Sequence, residues 1–421
     1  MKEEKAALAL IAARDVTSAR TGRIAVLETA VRALKEAGHP VIIIAITNHK
    51  GPSSWLGSPV FRVPTPPFYS MPGSALRSLV RGKTLNESLF DSAKVRHQVL
   101  DICISMGVRA VIADNIRTWD AAQATGLPVL MHLDDLLSSR YSSPEFRKAN
   151  DSVFGYFSDQ IPLGVRPALE ELVKHLLGLE AKLAYRREIE ISQQAAATAL
   201  TSASEADLLA GRAKTSVWGL PMAVAQQTPS TPSANPAHKV VFLGYMHYGP
   251  NMGALRYLRD EVLPILQEHG RKVEITVIGQ ADEEQKAEFA QHPISFKGYV
   301  EDLYRELAQH RLFVSPVQSG TGVKTKVLDA LSVGIPVVAT PLGIEGIPAT
   351  HGHEYLVGHT PLEFAQHIEY LMDNPEGADA IGAAGYELLG RSMNPQKVYQ
   401  DWAQAVEEAL EGERSYAHSA H

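Results

Sequence analysis

The sequence has little of several things, and each shortage narrows what the protein is. Of its 421 residues only Cys103 is a cysteine. One cysteine excludes an intramolecular disulfide framework and a cysteine-rich metal site, and a reducing compartment fits it most simply. No apolar run approaches the ~20 residues of a membrane-spanning helix. Basic residues are not in excess: the net charge is −7. No global positive field points to nucleic acid, and no nucleic-acid partner is expected. The opening MKEEKAALALIAARD lacks the marks of a signal peptide. Its apolar stretch is short, acidic residues precede it, and no A-x-A-like site follows. Residues 6–13 read instead as a first buried strand. What is present is an apolar fraction of 45%, ordinary for a soluble globular chain, and a length that suits two α/β domains.

Two series of strands and helices run along the chain. In the first half ALALIAA is followed by a helix over 23–37 and then by VIIIAIT; residues 110–113 and 128–133 read as further short buried strands. Apolar runs alternating with helical patterns predict parallel, doubly wound sheets. Residues 221–239, PMAVAQQTPSTPSANPAHK, have no hydrophobic period and read as a linker. A second series follows: VVFLG, a helix over 252–266, VEITVIG, a helix, ISFKG, a helix from Val300, LFVSP and PVVAT. The expected architecture is an N-terminal Rossmann-like domain over 1–220, the linker, and a second such domain over 240–394. A C-terminal helix with a polar, frayed tail completes it over 395–421. Two such domains facing a central cleft would hold ligands at the carboxyl ends of their strands. GHP at 38–40 and GIP at 334–336 read as helix ends, a C′ glycine followed by proline.

The most informative stretch is residues 319–340, SGTGVKTKVLDALSVGIPVVAT. It sets Lys324 and Lys326 where a helix should begin. A helix N-terminus carries partial positive charge, so a cation there typically loses ~0.3–1 kcal/mol. Ser319, Gly320, Thr321 and Gly322 form a small-residue turn that lets backbone approach a ligand. Val323, Val327, Ala330 and Leu331 make the core face. Bare amides beside two lysines form an anion site. A bound diphosphate would explain why the cations are tolerated, and Asp329 one turn on would accept from ribose hydroxyls. The alternative is a solvated face on which Asp329 pairs with Lys326.

The run over residues 315–347, with LDALSVGIPVVATPLGIEGI at its centre, resembles the donor-binding signature of GT-B glycosyltransferases, specifically the large retaining group called family 4. VVFLGYMHYGPNMGALRYLRDEVLPIL resembles the first β-turn-α of the donor domain. FKGYVEDLYRELAQHRLFVSP resembles the strand, G-Y-V turn and helix that frame the nucleobase. The resemblance implies a donor site containing Gly22, Gly244, Asn251, Gly298, Tyr299, Val300, the 319–322 turn, Thr325, Asp329, Gly343 and Glu345. Two departures stand out. Asp329 matches the second of two glutamates that many members carry, and Thr321 falls where the first would be. YMHYGPN lacks the Arg and Lys that many members use on the diphosphate. Charge balance then assigns that task to Lys324 and Lys326 on the facing loop.

The N-terminal half is similar to the family less sharply. Resemblance places His132, in PVLMHLDDLLSSRY, with the histidine that borders the reacting sugar; a satisfied structural histidine is the other reading. Asp134 and Asp135 would bind acceptor hydroxyls, cap a helix, or pair with Arg140. Adjacent aspartates without other ligands are poor evidence for a metal, and none is expected. In ARTGRIAV, Gly22 is a candidate for close backbone approach, and Arg20 and Arg23 for anionic acceptor or phosphate groups. Residues 71–97, basic with an apolar component, read either as a peripheral contact with anionic lipid or as an ordinary helix on its own sheet.

The resemblance implies transfer of a sugar from a nucleoside diphosphate sugar, UDP- or GDP-linked, to a hydroxyl of a glycan, lipid-linked or small-molecule acceptor. It implies retention of configuration and no prosthetic group. Catalytic roles fall to His132, Lys324 and Lys326. The expected setting is cytoplasmic, on the inner face of a membrane if 71–97 meets lipid. The rival expectations are a non-catalytic partner of another transferase and a nucleotide-sugar epimerase.

Overall fold

The computed structural model describes residues 5–17, 22–67, 70–142, 166–227, 239–319 and 323–419. The chain forms two compact units, Met1–Ala223 with Gln396–His421, and Val224–Pro395. Each is an α/β unit built on its own sheet.

The first unit holds eight strands: β1 Ala7–Ala12, β2 Val41–Ile46, β3 Ser54–Trp55, β4 Ser58–Val63, β5 Val108–Asp114, β6 Val129–His132, β7 Ala197–Leu200 and β8 Trp218–Gly219. They lie in the order β3-β4-β2-β1-β5-β6-β7-β8. All neighbours are parallel except β3 with β4. All six residues of β2 are buried, as are five of six in β1. Burial on both faces is why these strands are unbroken apolar runs rather than alternating ones. The helix Gly22–Glu36 follows β1 and ends at Gly38, whose φ of 90° is open to glycine at little cost.

The second unit holds β9 Lys239–Leu243, β10 Glu274–Ile278, β11 Ile294–Gly298, β12 Leu312–Ser315, β13 Val337–Ala339 and β14 Leu356–Val357. Their order is β11-β10-β9-β12-β13-β14, all parallel. In each sheet the strand order reverses beside the first strand of the unit, at β1/β5 and at β9/β12. Such a reversal leaves a crevice at the carboxyl ends where loops from both sides meet.

Several sequence expectations change in detail. The helix expected over 252–266 is three pieces: Gly249–Tyr257, a π-helical turn Leu258–Val262, and Leu263–Glu268. Pro264 explains the break, because it cannot donate to the carbonyl four residues back. The helix expected from Val300 begins at Leu303, where the Asp302 side chain accepts from the Arg305 amide at 2.9 Å. The tail expected to fray is helical through Ser419. Residues 224–227 are not free linker: Val224 N donates to Met393 O (2.8 Å) and Gln227 N to Ser332 O (2.9 Å), within the second unit. The last helix groups with the first unit, where Glu407 pairs with Lys5.

Candidate functional site

In the second unit the loops after β9 and β12 meet at the strand reversal. Lys324 is the residue before the helix Thr325–Ser332 and makes no capping bond with its side chain. Its Nζ lies 3.6 Å from Glu345 Oε2, on the loop after β13. Lys326 crosses to the other loop, donating to Asn251 Oδ1 at 2.8 Å and standing 4.6 Å over the Phe242 ring. The Asn251 amide is in turn fixed on Tyr245 O at 2.9 Å. Burial, and then the nearby Lys324 charge, lower the Lys326 ammonium to about 7. Among the described residues Lys326 has no carboxylate ion pair, so its charge is held by an amide oxygen and a ring face alone. Asp329, one turn along, receives the Tyr304 hydroxyl at 3.4 Å.

Three strand ends nearby are bare backbone. A Cβ on Gly279, at φ 134°, would stand 2.0 Å from Gly244 O, so the backbones after β9 and β10 touch. Gly279 N donates to Gly298 O at 2.9 Å. Beyond Gly298 the Tyr299 side chain is 78% exposed, a ring face open to a planar ligand, and Val300 is half-buried beside it. A Cβ on Gly343 would meet Ser315 O at 2.2 Å, so that glycine serves contact with β12. Thr325 opens its helix and Ser319 ends the described turn; Gly320, Thr321 and Gly322 lie outside the described residues.

The first unit repeats the arrangement with different chemistry. Register sets Asp114, the last residue of β5, beside His132, the last of β6. Arg23, from the helix after β1, donates from Nε to Asp114 Oδ1 at 2.5 Å and from Nη1 to Asp134 Oδ1 at 3.0 Å. Its Nη1 also lies 3.0 Å from His132 Nδ1. Since Arg23 can only donate, His132 Nδ1 accepts and the imidazole proton sits on Nε2. Burial, reinforced by the Arg23 charge, lowers His132 to about 3, so the ring is neutral at physiological pH. It stacks on Trp402 at 5.3 Å and is 1% exposed. Burial opposes ionisation of Asp134, but Arg23, then Arg14, outweigh it and hold the carboxyl below its usual range.

Arg23, a candidate for anionic acceptor or phosphate groups in the sequence, is buried and committed to Asp114 and Asp134. Asp135 pairs with Arg140. At the start of the helix Leu137–Ser142 the amides of Leu136 and Ser138 go to Glu205 (3.2 Å) and Glu188 (2.9 Å). Gly22 begins its helix, and Arg20 lies outside the described residues. Sequence reasoning missed Asp114, although an acid closing the run AVIAD was a signal. It also missed Glu188, Glu205 and Tyr304, whose partners are far away in the chain.

Residues 71–97 divide. Lys83 binds Asp120 (2.6 Å), Arg96 binds Asp91 (2.7 Å), and the buried Glu87 binds Arg187 (2.7 Å). Arg77, Arg81 and Val80 remain exposed. Among the described residues no helix is long and apolar enough to cross a membrane, and no three His, Cys, Asp or Glu side chains gather to hold a metal.

Residues 237–374 match a family model described as "Glycosyl transferases group 1". The match falls wholly inside the second unit, and it contains Asn251, Tyr299, Lys324, Lys326 and Asp329. Among solved structures, sucrose-phosphate synthase from Thermosynechococcus elongatus is similar at a TM-score of 0.67 and 14% identity, over 96% of this chain and 99% of that one. The fold is GT-B. Anabaena HepE, solved with UDP and glucose, is similar to this GT-B chain at a TM-score of 0.61 and 12% identity, over 95% of this chain and 99% of that one. A Rickettsia africae glycosyltransferase gives 0.62 and 12%, over 96% and 99%. An uncharacterised 44.6 kDa protein in the cps region of Klebsiella pneumoniae is 24% identical over 169 residues. That alignment spans 38% of this chain and 44% of the Klebsiella protein, less than half of each.

Proposed function

We propose that the protein is a glycosyltransferase that moves a sugar from a nucleoside diphosphate sugar to an acceptor hydroxyl. The observation that carries this is Lys326, a half-buried cation at a strand reversal, held by Asn251 and Phe242 with no carboxylate ion pair among the described residues. A diphosphate beside Lys324, Lys326 and the amides that open the helix Thr325–Ser332 would supply the missing charge. The same groups would act on the charge that develops as the diphosphate leaves. Asp329 would hold ribose hydroxyls, with Tyr304 orienting its carboxylate, and Tyr299 would stack on the base. The group 1 match over these loops supports the reading. HepE, a structural neighbour, was solved with UDP-glucose, which favours UDP over GDP as the first donor to test.

His132 enters as a neutral donor through Nε2, and Asp134 as a carboxylate linked to it through Arg23. Asp135 and Arg140 pair on the loop that would meet the acceptor, a glycan or lipid-linked hydroxyl. Retention of configuration fits the absence of an ionised base in this set: His132 is neutral and the carboxylates are committed to arginines.

Thr321, standing where many relatives carry a glutamate, favours a second reading, a partner protein that binds donor without turnover. A thermal-shift screen with UDP, GDP, ADP and TDP tests the site, repeated on Asp329→Ala and on the Lys324→Ala/Lys326→Ala double variant. Stabilisation by one nucleotide, lost in the variants, supports the donor site and fixes its base. Release of free sugar from the matching donor then separates the transferase from the partner. No stabilisation by any nucleotide would end both readings.

A further inference from the structure

The second unit contains a cavity that the donor loops do not use. It measures about 420 Å³ and is lined by Arg256, Tyr257, Asp260, Glu261, Gln318 and His359, among others. None of the residues assigned to nucleotide or diphosphate lines it. It nevertheless adjoins their loops, because Gln318 precedes Ser319 and the lining residues Thr340 and Pro341 precede Gly343.

One wall of the cavity is a departure from regular helix. Asp260 and Glu261 belong to the π-helical turn Leu258–Val262, in which the Leu263 amide bonds back to Leu258 O. Pro264 has no N–H to offer the carbonyl of Asp260, the bond a regular helix would make there. Arg256 is held by a two-point contact with Glu288, at 2.7 and 2.8 Å, and Asp260 by Arg259 at 2.6 Å. Arg256 and Asp260 are therefore held in place before any ligand arrives, with Tyr257 as an aromatic wall.

We propose that this cavity is a saccharide-binding site for a neutral mono- or disaccharide unit. The lining carries both signs of charge. With Arg256 answered by Glu288 and Asp260 by Arg259, the lining draws a strongly charged ligand of neither sign. A sugar instead presents neighbouring hydroxyls, each a donor and an acceptor. Carboxylates accept from them, the guanidinium donates to them, and the Gln318 amide does both. The volume lies in the range of small-ligand sites. Its position beside the 318–319 and 340–343 loops would bring a glycan alongside the donor. The binding stands whether or not the donor loops turn over sugar.

Gly253 supplies the test. It lines the cavity from within the helix Gly249–Tyr257, and a Cβ added there meets nothing within 4 Å. Gly253→Trp would fill the space, while Gly253→Ala leaves it open and suits the helix better than glycine does. Saturation-transfer NMR on the full chain with free maltose, cellobiose and lactose reads the cavity, and a UDP thermal shift reads the donor loops. The expected result is binding of at least one disaccharide to the wild type and to Gly253→Ala. In Gly253→Trp and Gln318→Ala it should weaken by about tenfold or more, each ~1.4 kcal/mol being tenfold, with the UDP shift kept. No signal from any of the three sugars, or equal signals in wild type and Gly253→Trp, would overturn the proposal. Saccharide binding without a UDP shift would keep it while removing the donor reading, and the reverse would do the opposite. Loss of both readouts in Gly253→Trp alone would report misfolding of that variant, and Gln318→Ala then decides.

Discussion

The two units solve one geometric problem in opposite ways. Each places a cation from one loop across the point where its strand order reverses. In the first unit Arg23 meets Asp114 and Asp134, and both ends of the Arg23–Asp114 pair are almost fully buried. In the second unit Lys326 meets Asn251 and the face of Phe242. The matched cation closes its crevice, because its charge is already answered. On the proposed reading, the unmatched one would be answered by a ligand that brings negative charge. Local electrostatic balance, rather than fold, therefore distinguishes the two cations, since both units are parallel α/β sheets.

The largest test breaks the matched side. Arg23→Ala would leave Asp114 in the core next to neutral His132 with Arg14 Nε 3.8 Å away, and removing one partner of a buried ion pair costs ~3–5 kcal/mol. Urea unfolding should show that loss, and a change under ~1 kcal/mol would mean the pair is not structural. On the unmatched side the Lys324→Ala/Lys326→Ala pair should leave stability within ~1 kcal/mol of wild type. It should weaken UDP binding about 10- to 100-fold, as loss of charge-assisted hydrogen bonds does. Calorimetry that found binding unchanged would remove the lysines from the donor site.

A smaller effect is expected from Tyr299→Ala. Base stacking on an aromatic ring contributes ~1–3 kcal/mol, and an exposed tyrosine sits at the lower end, so nucleotide affinity should fall about fivefold while free diphosphate binds as before. An equal loss for both ligands would contradict base stacking. The smallest effect separates the units by pH. The Lys326 ammonium in the fold is lowered to about 7, below the ordinary ~10.4 of an unfolded lysine. Between those values the unfolded chain binds more protons, so this group makes stability rise with pH from about 7 to about 10. Diphosphate needs the charged form, so UDP affinity should fall over the same range. Opposite slopes in one titration, absent in Lys326→Met, are the signature; parallel slopes would refute it. His132, lowered to about 3, stays neutral throughout and adds nothing to this window.

The sequence by itself determined a good deal. Unbroken apolar runs such as VIIIAI can be satisfied only when both faces are covered, which is the reason two parallel α/β sheets were legible from patterning. Gly38 and Gly334, at φ 90° and 75°, end their helices where G-H-P and G-I-P stood. Two lysines at the start of an amphipathic helix were visible as an electrostatic oddity before any contact was known. Tertiary structure alone decided what those charges meet. Lys326 could have turned to Asp329, three residues away on its own helix, yet it reaches Asn251, 75 residues distant, because strand order brings β9 and β12 together. Arg23 read as a candidate for an anionic ligand, and it is β5, placed beside β1, that presents Asp114 to it from 91 residues away. A side chain's local partners follow from helical and strand periodicity, which the sequence carries. Its long-range partners depend on which strands become neighbours, and only the assembled sheet settles that.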